Sequence, residues 1–459
     1  MNVLKEEFLL PATLTGIVFN DLNHNGQYDA GEPGIAGVNL VLFSNAGGTC
    51  MTVQSDINGN YSFTITAAGT YTVYEPVADP GASCPPVTFT QPAGFTMSNG
   101  PRKLTQIVTA AQVTNNVTIT GHNFSHDTIL NPLNCTTTMI QFAGRPSVWF
   151  NIDIVTGEET VQGTVSPPLD INAIGFNPLD SYIYGYDQLN NHLVRVDSDG
   201  NVMVLFPLPP GMPSDAYNTG TFDQNGFLYV FVNNETTFYV IDLRPNSATF
   251  LKLVNPATGF LETTSGITMN RVLNVSDWVY RAADNNLYAI TPTGTVERIA
   301  PATGHIDNIA TTPLNTGPFG ALAIDSTGTI YAISNSDGTI YRYTISGNTA
   351  TAVRFSSTVT TSFNDATMCV HAAVQLDFGD APDLGSGNGP GNYSTLLANN
   401  GPRHGLVNPL FLGTQVTAET DALQNASATG DDIPLGIQDD GLTLPCPRFL
   451  RPQPATSLT

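Results

Sequence analysis

The twelve residues DLNHNGQYDAGE, Asp21 to Glu32, place oxygen donors at alternating positions. They are Asp21, Asn23, Asn25, the backbone carbonyl of Gln27, Asp29 and Glu32, and Gly26 stands where such a loop must turn sharply. This is the full D-x-[DN]-x-[DN]-G-x5-E arrangement, which suits calcium, a hard cation that takes oxygen ligands from a flexible loop. Only Asp21, Asp29 and Glu32 carry charge, and the two amides dilute the site. The expectation is a structural ion of the extracellular kind, with a Kd on the order of 10⁻⁵ to 10⁻³ M. The alternative is an Asx-rich turn that holds no ion. A second motif, SDINGNY, makes Asp56, Asn58 and Asn60 weaker calcium candidates. A plain Asn-Gly hairpin is the better reading of those residues.

Such a loop usually joins helices, yet this chain is poor in helix formers. Charged residues make up 12% and lysine occurs only as Lys5, Lys103 and Lys252, while Thr, Asn, Ser, Gly and Pro abound. That is the composition of β-structure with polar turns. Residues 13–127 hold short runs such as TGIVF, GVNLVLFSN, YSFTI and GTYTVYEP between Gly, Pro and Asn turns, the pattern of a sandwich. Residues 135–371 show weak self-similarity: a turn, an aromatic -IY- or -LY- strand, a second turn, then a strand of the type -hxRhD-. The period, roughly 40 to 45 residues, is that of a four-stranded propeller blade. The fold expected is all-β: an Ig-like β-sandwich over 13–127, a five- or six-bladed β-propeller over 128–375, and a mostly irregular acidic segment over 376–443 that could order around ions. Residues 1–12 form a leader segment and 444–459 a disordered tail.

Lys and Arg total 15 against 38 Asp and Glu, a net charge of −23. Nucleic-acid and anionic-membrane partners are thereby disfavoured, because phosphate contacts need Lys and Arg. No apolar run approaches the ~20 residues of a membrane span. The start, MNVLKEEFLLPAT, lacks the basic region of a secretory signal. The expectation is a trimmed chain, or one that reaches its place without a cleaved signal.

None of the five cysteines has CxxC spacing, which argues against structural zinc. Cys50 and Cys84 lie inside the first domain, while Cys135 opens the propeller and Cys369 ends it. Disulfides Cys50–Cys84 and Cys135–Cys369 are expected, the second locking the ring. By chain entropy they contribute roughly 4 and 5 kcal/mol and imply an oxidising compartment. Cys446 is left unpaired.

Catalysis needs a poised acid, base or nucleophile. The histidines include neither an HExxH nor any paired spacing, and no GxSxG occurs. His24 lies inside the calcium loop, and His192 and His305 fall in blade turns. Asp197, Asp242 and Asp325 recur near strand ends, where capping of their own backbone is the reading. The expectation is that the chain is not an enzyme. A lactonase- or lyase-like, calcium-dependent propeller enzyme is the minor alternative, and a cluster of Asp, Asn and Glu converging on the channel would favour it.

The stretch GIVFNDLNHNGQYDAGEPGIAGVNLVL followed by SDINGNYSF resembles the calcium-binding B repeats of serine-aspartate-repeat adhesins, the SdrD B-like domain related to collagen-adhesin B domains. The resemblance implies an Ig-like sandwich in which calcium stiffens a stalk. The Lys–Asn isopeptide of related domains is not expected, since the first strand has no Lys. INAIGFNPLDSYIYGYD and FNDATMCVHA are similar to a propeller-type domain found beside such domains in bacterial surface proteins. The acidic text from DFGDAPD to DDG is similar to a segment that precedes GEVED-type domains, which implies a piece of a longer protein. The function expected is structural and adhesive: a secreted or surface-displayed protein presenting a propeller face to a protein or glycan ligand, or to other surface subunits. A spore-surface or appendage component is the second alternative.

Overall fold

The structure is a computed structural model and describes residues 11–21, 26–29, 32–75, 84–85, 95–97, 101, 103–128, 130–165, 168–205, 208–245, 247–385, 391–406, 416–426, 428 and 430. Two sheets face each other in the first domain. One runs Asn60–Ile65, Ala12–Asn20, Phe124–Thr128, Phe95–Met97, with Thr118–Ile119 also on the first strand; the other runs Thr49–Gln54, Asn39–Ser44, Gly69–Tyr74, Lys103–Val108. The first strand pairs in parallel with the last, Val18 opposite Phe124, so the two chain ends of the sandwich lie side by side. Asn60–Ile65 alternates strictly, with Tyr61, Phe63 and Ile65 inward, as a half-buried strand must. Leu14, Val18, Leu40, Leu42, Val73 and Phe124 complete one core. The Asn-Gly turn is fixed by its glycine: Gly59 has φ +77°, and a Cβ there would stand 2.2 Å from the Val18 carbonyl oxygen.

Five blades follow. The second runs from Ile171–Phe176 outward to Val202–Leu205, and the third from Thr219–Phe222 to Lys252–Asn255. The fourth runs from Trp278–Arg281 to His305–Thr311, and the fifth from Phe319–Ile324 to Thr349–Ser357. The closing blade takes its outer three strands from Thr138–Thr164 and its innermost from Asn364–Thr367, far along the chain. The five inner strands neighbour one another in a closed ring. Inner strands pack on both faces, and Ile171–Phe176, Thr219–Phe222, Phe319–Ile324 and Asn364–Thr367 are buried at every residue.

The recurrent tyrosine has a partner in each of four blades. Tyr184, Tyr229, Tyr288 and Tyr331 donate to Asp180, Asp223, Asp284 and Asp325 at 2.6, 3.5, 2.6 and 3.3 Å. Burial, and next the Asp284 carboxylate that it bonds, pushes the Tyr288 hydroxyl up to about 12. A buried phenol needs such an acceptor, which is why an Asp-bearing turn accompanies each -hY- strand.

Disulfides join Cys50 to Cys84 and Cys135 to Cys369. The second ties the segment before the closing blade to the one after its last strand. Cys446, with all of 431–459, lies outside the described residues. After the ring, Leu376–Phe378 pairs with Arg403–Gly405, and Leu376, Phe378, Leu397 and Ala422 share a core with Ile152, Ile154, Tyr331 and Phe355. Over the described residues this segment is ordered by packing against the propeller. Its carboxylates hold backbone: Asp383 accepts from Thr395 and Leu396 N–H, each at 3.1 Å, and Asp421 from Leu397 N–H at 2.7 Å.

Candidate functional site

The loop Asp21 to Glu32 leaves the first strand and returns beside it. Phe19 bridges Gly34, Asn20 N–H donates to Pro33 O at 2.9 Å, and Asp21 N–H to His126 O at 2.7 Å. Asp21 is fully buried and Glu32 nearly so. Asp21 Oδ2 accepts the Gly26 N–H at 2.7 Å, and Glu32 Oε2 accepts the Asp29 N–H at 2.9 Å. Gly26 takes φ +75° at the sharp turn. The first and twelfth donors are therefore acceptor-only carboxylates sunk into one small loop. Among the described residues Asp21, Asp29 and Glu32 are not grouped closely enough to hold a metal ion, so calcium at this loop rests on the pattern of the sequence. Gln27 and Asp29 are among the described residues, whereas Asn23 and Asn25 lie outside them. Beneath the loop, His126 Nε2 lies 2.5 Å from Glu75 Oε1, both side chains buried.

Asp56, Asn58 and Asn60 are arranged otherwise. Asp56 Oδ1 accepts the N–H groups of Asn58 and Asn60 at 2.9 and 2.8 Å. That is an Asx turn, and the hairpin reading accounts for it. Asp197, Asp242 and Asp325 likewise accept the N–H two residues on, from Asp199, Arg244 and Thr327. His305 sits 3.2 Å from Asp307 at an exposed strand start.

A second constellation lies on the propeller axis. Asp277 and Asp365, on the inner ends of the fourth and closing blades, are fully buried and hydrogen-bond each other. Burial raises both well above the usual carboxylate range, and the neighbouring charge adds to the rise of Asp277. One of the two must hold a proton to bond the other. Their remaining acceptor capacity is taken by backbone: Asp277 by Trp278 and Leu322 N–H at 2.7 and 2.5 Å, Asp365 by Ala366 and Ile174 N–H at 2.8 and 2.7 Å. Each thus ties its own blade to the next.

On one side of the pair, side chains from all five blades surround a cavity of about 240 Å³: Arg145, Asn172, Gln188, Asn218, Ser276 and Asn335, with Phe363 and Asn364 on the closing strand's approach. On the other side Phe222, Trp278, Leu322 and Met368 fill the axis, leaving about 10 Å³, room for about one water. Asp and Asn thus do converge on the channel, but the two carboxyls are sealed between backbone amides, and among the described residues no carboxylate lines the open cavity. Among the described residues no group of three or more His, Cys, Asp and Glu is placed to hold a metal.

None of the axial residues stands out from spacing. The signal that could have found them is a small polar residue at or just before the start of four of the five inner strands: NAI at Asn172, NTG at Asn218, SDW at Ser276, NDA at Asn364.

The fold and the geometry agree with two family matches. Residues 12–121 match the model of the SdrD B-like domain, and residues 144–371 match a repeat of unknown function, DUF6923. No curated protein matches the chain. Among solved structures, a streptogramin B lyase is similar at 13% identity over 49% of this chain and 75% of that one, TM-score 0.31. Virginiamycin B lyase from Staphylococcus aureus is similar at 11% over 77% and 87%, TM-score 0.31, and a gluconolactonase from Xanthomonas campestris at 12% over 50% and 74%, TM-score 0.29. At such TM-scores the likeness carries no weight for activity, and the five-bladed ring stands on its own strand pairings.

Proposed function

We propose that this chain, an SdrD B-like domain joined to a five-bladed propeller, is a non-enzymatic extracellular surface protein. In this reading the sandwich is a calcium-stiffened spacer and the propeller is what it presents, for binding a protein or glycan or for assembly with other surface subunits. The observation that supports it is the loop: Asp21 and Glu32, the first and twelfth residues of the calcium pattern, are both buried, and each accepts a backbone amide of the same loop. A cation there would join the two ends of the loop to the paired first and last strands, along which load on a spacer passes. The two disulfides support an oxidising, extracellular setting. Among the described residues no helix is long and apolar enough to cross a membrane. The lactonase- or lyase-like reading asks for an open acidic channel, and the axial carboxyls are instead engaged in holding blades together. A spore-surface role draws no support from either family match.

Single-molecule pulling of the whole chain tests the spacer. Calcium should raise the force at which the sandwich unfolds, with the propeller's unfolding events unchanged. Equal sandwich forces in calcium and in EDTA would contradict it.

A further inference from the structure

The open cavity on the propeller axis has the features of a binding site rather than of a packing defect. Every blade contributes to it, and among the described residues its lining is mostly uncharged and polar. Amides dominate: Asn172, Gln188, Asn218, Asn335 and Asn364. Most are fixed in place by one another and by backbone. Asn335 and Asn364 exchange hydrogen bonds at 2.8 and 3.1 Å. Asn218 donates to Ser276 O at 3.1 Å and accepts the Asn233 N–H at 2.8 Å. Gln188 donates to Tyr217 O at 2.7 Å and accepts from Arg145 at 2.6 Å.

Asn172 is different. It is 6% exposed, and its Oδ1 accepts the Ala173 N–H at 2.9 Å. Among the described residues its Nδ2 has no hydrogen-bond partner, although it lines the cavity. That donor is therefore free to meet whatever enters the cavity. The backbone beneath it is strained as well: Ala173 takes φ +50° at a bulge in the inner strand. At the rim, Phe363 also takes φ +50°, in the left-handed region that a bulky residue avoids. The residue is 59% exposed, and the Arg145 guanidinium lies over its ring at 4.4 Å from the centroid. Strain of this kind persists where surroundings over-determine it, and it clusters at ligand sites.

We infer that this cavity binds a single sugar ring, the terminal unit of a neutral glycan, with Phe363 as its stacking platform and Asn172 as a donor to its hydroxyls. This rests on the reading of the propeller as the presented, ligand-binding part. Amides give and accept hydrogen bonds as sugar hydroxyls do. The exposed ring face suits the apolar C–H face of a pyranose. A phosphate is disfavoured, since Arg145, the sole lining cation among the described residues, is already engaged by Asp170 at 3.0 Å and by Gln188. The volume, about 240 Å³, falls below the ~300–1,000 Å³ of clefts for larger ligands, so one ring fits and a chain projects outward.

The test uses the full chain in calcium and a panel of glucose, galactose, mannose, N-acetylglucosamine and fucose, read by saturation-transfer NMR. At least one sugar should give a saturable signal. Phe363→Gly should weaken it about tenfold or more, without loss of thermal stability, because glycine accepts the positive φ. Asn172→Ala should weaken it similarly. Silence from every sugar overturns the inference, and so does undiminished binding in Phe363→Gly. If the sugars fail while calcium still raises the sandwich's unfolding force, the saccharide assignment falls and the spacer stands. If the sugars bind and calcium does nothing, the reverse holds.

Discussion

Single side chains do two kinds of work in this protein. Carboxylates in turns hold their own backbone, as Asp56, Asp197 and Asp325 do, and that was legible because Asx chemistry acts over two residues. The axial pair was not legible. Asp365 and the Ile174 amide that it accepts are 191 residues apart, and Asp277 reaches Asp365 only after the ring has closed. No local spacing can encode such a meeting. The pair has a pH consequence. Both folded-state values are raised above those of the unfolded chain, near ~3.9. Their stabilisation is therefore full below the ordinary carboxylate range and is lost as pH rises through the raised values, when the second proton leaves. Thermal melting of the propeller should fall as pH is taken from about 4 to about 9, and Asp277→Asn should flatten that decline by removing the like charge. A wild-type midpoint independent of pH, or an undiminished slope in the variant, would count against a shared proton.

Strands and their connections were easier to foresee. Alternation in YSFTI and the -hY- repeat fix face and partner within a few residues. The C-terminal segment reads as irregular because its apolar residues are sparse, but Leu376, Phe378, Leu397 and Ala422 suffice to dock it against the ring. Closure depends on one borrowed strand, Asn364–Thr367, held by pairing with Thr138–Ala143 and by the Cys135–Cys369 bridge across 234 residues. A cross-link over so long a loop limits the unfolded chain, by roughly 5 kcal/mol in the entropy account. Replacing both cysteines by alanine should lower the propeller transition by about 10 °C in calorimetry, with the sandwich transition unmoved. An unchanged propeller transition would show that strand pairing alone closes the ring.

Taken whole, the chain sets a small sandwich before a larger ring, and in the proposed function rigidity falls to the first and contact to the second. The calcium pattern was complete in the sequence because all its donors fall within twelve residues, whereas the cavity over the axis draws on residues from Arg145 to Asn364. In the proposed function, presentation depends on the ion. Calorimetry of the full chain in calcium and in EDTA, beside the double variant Asp21→Ala with Glu32→Ala, tests this most directly. At calcium about a hundredfold above Kd, linkage adds ~2.7 kcal/mol. The sandwich transition should then rise by roughly 10–20 °C in the wild type, and not at all in the double variant. A wild-type sandwich that melts at the same temperature in calcium and in EDTA would reduce the loop to a polar turn and remove the physical basis for a stiffened spacer.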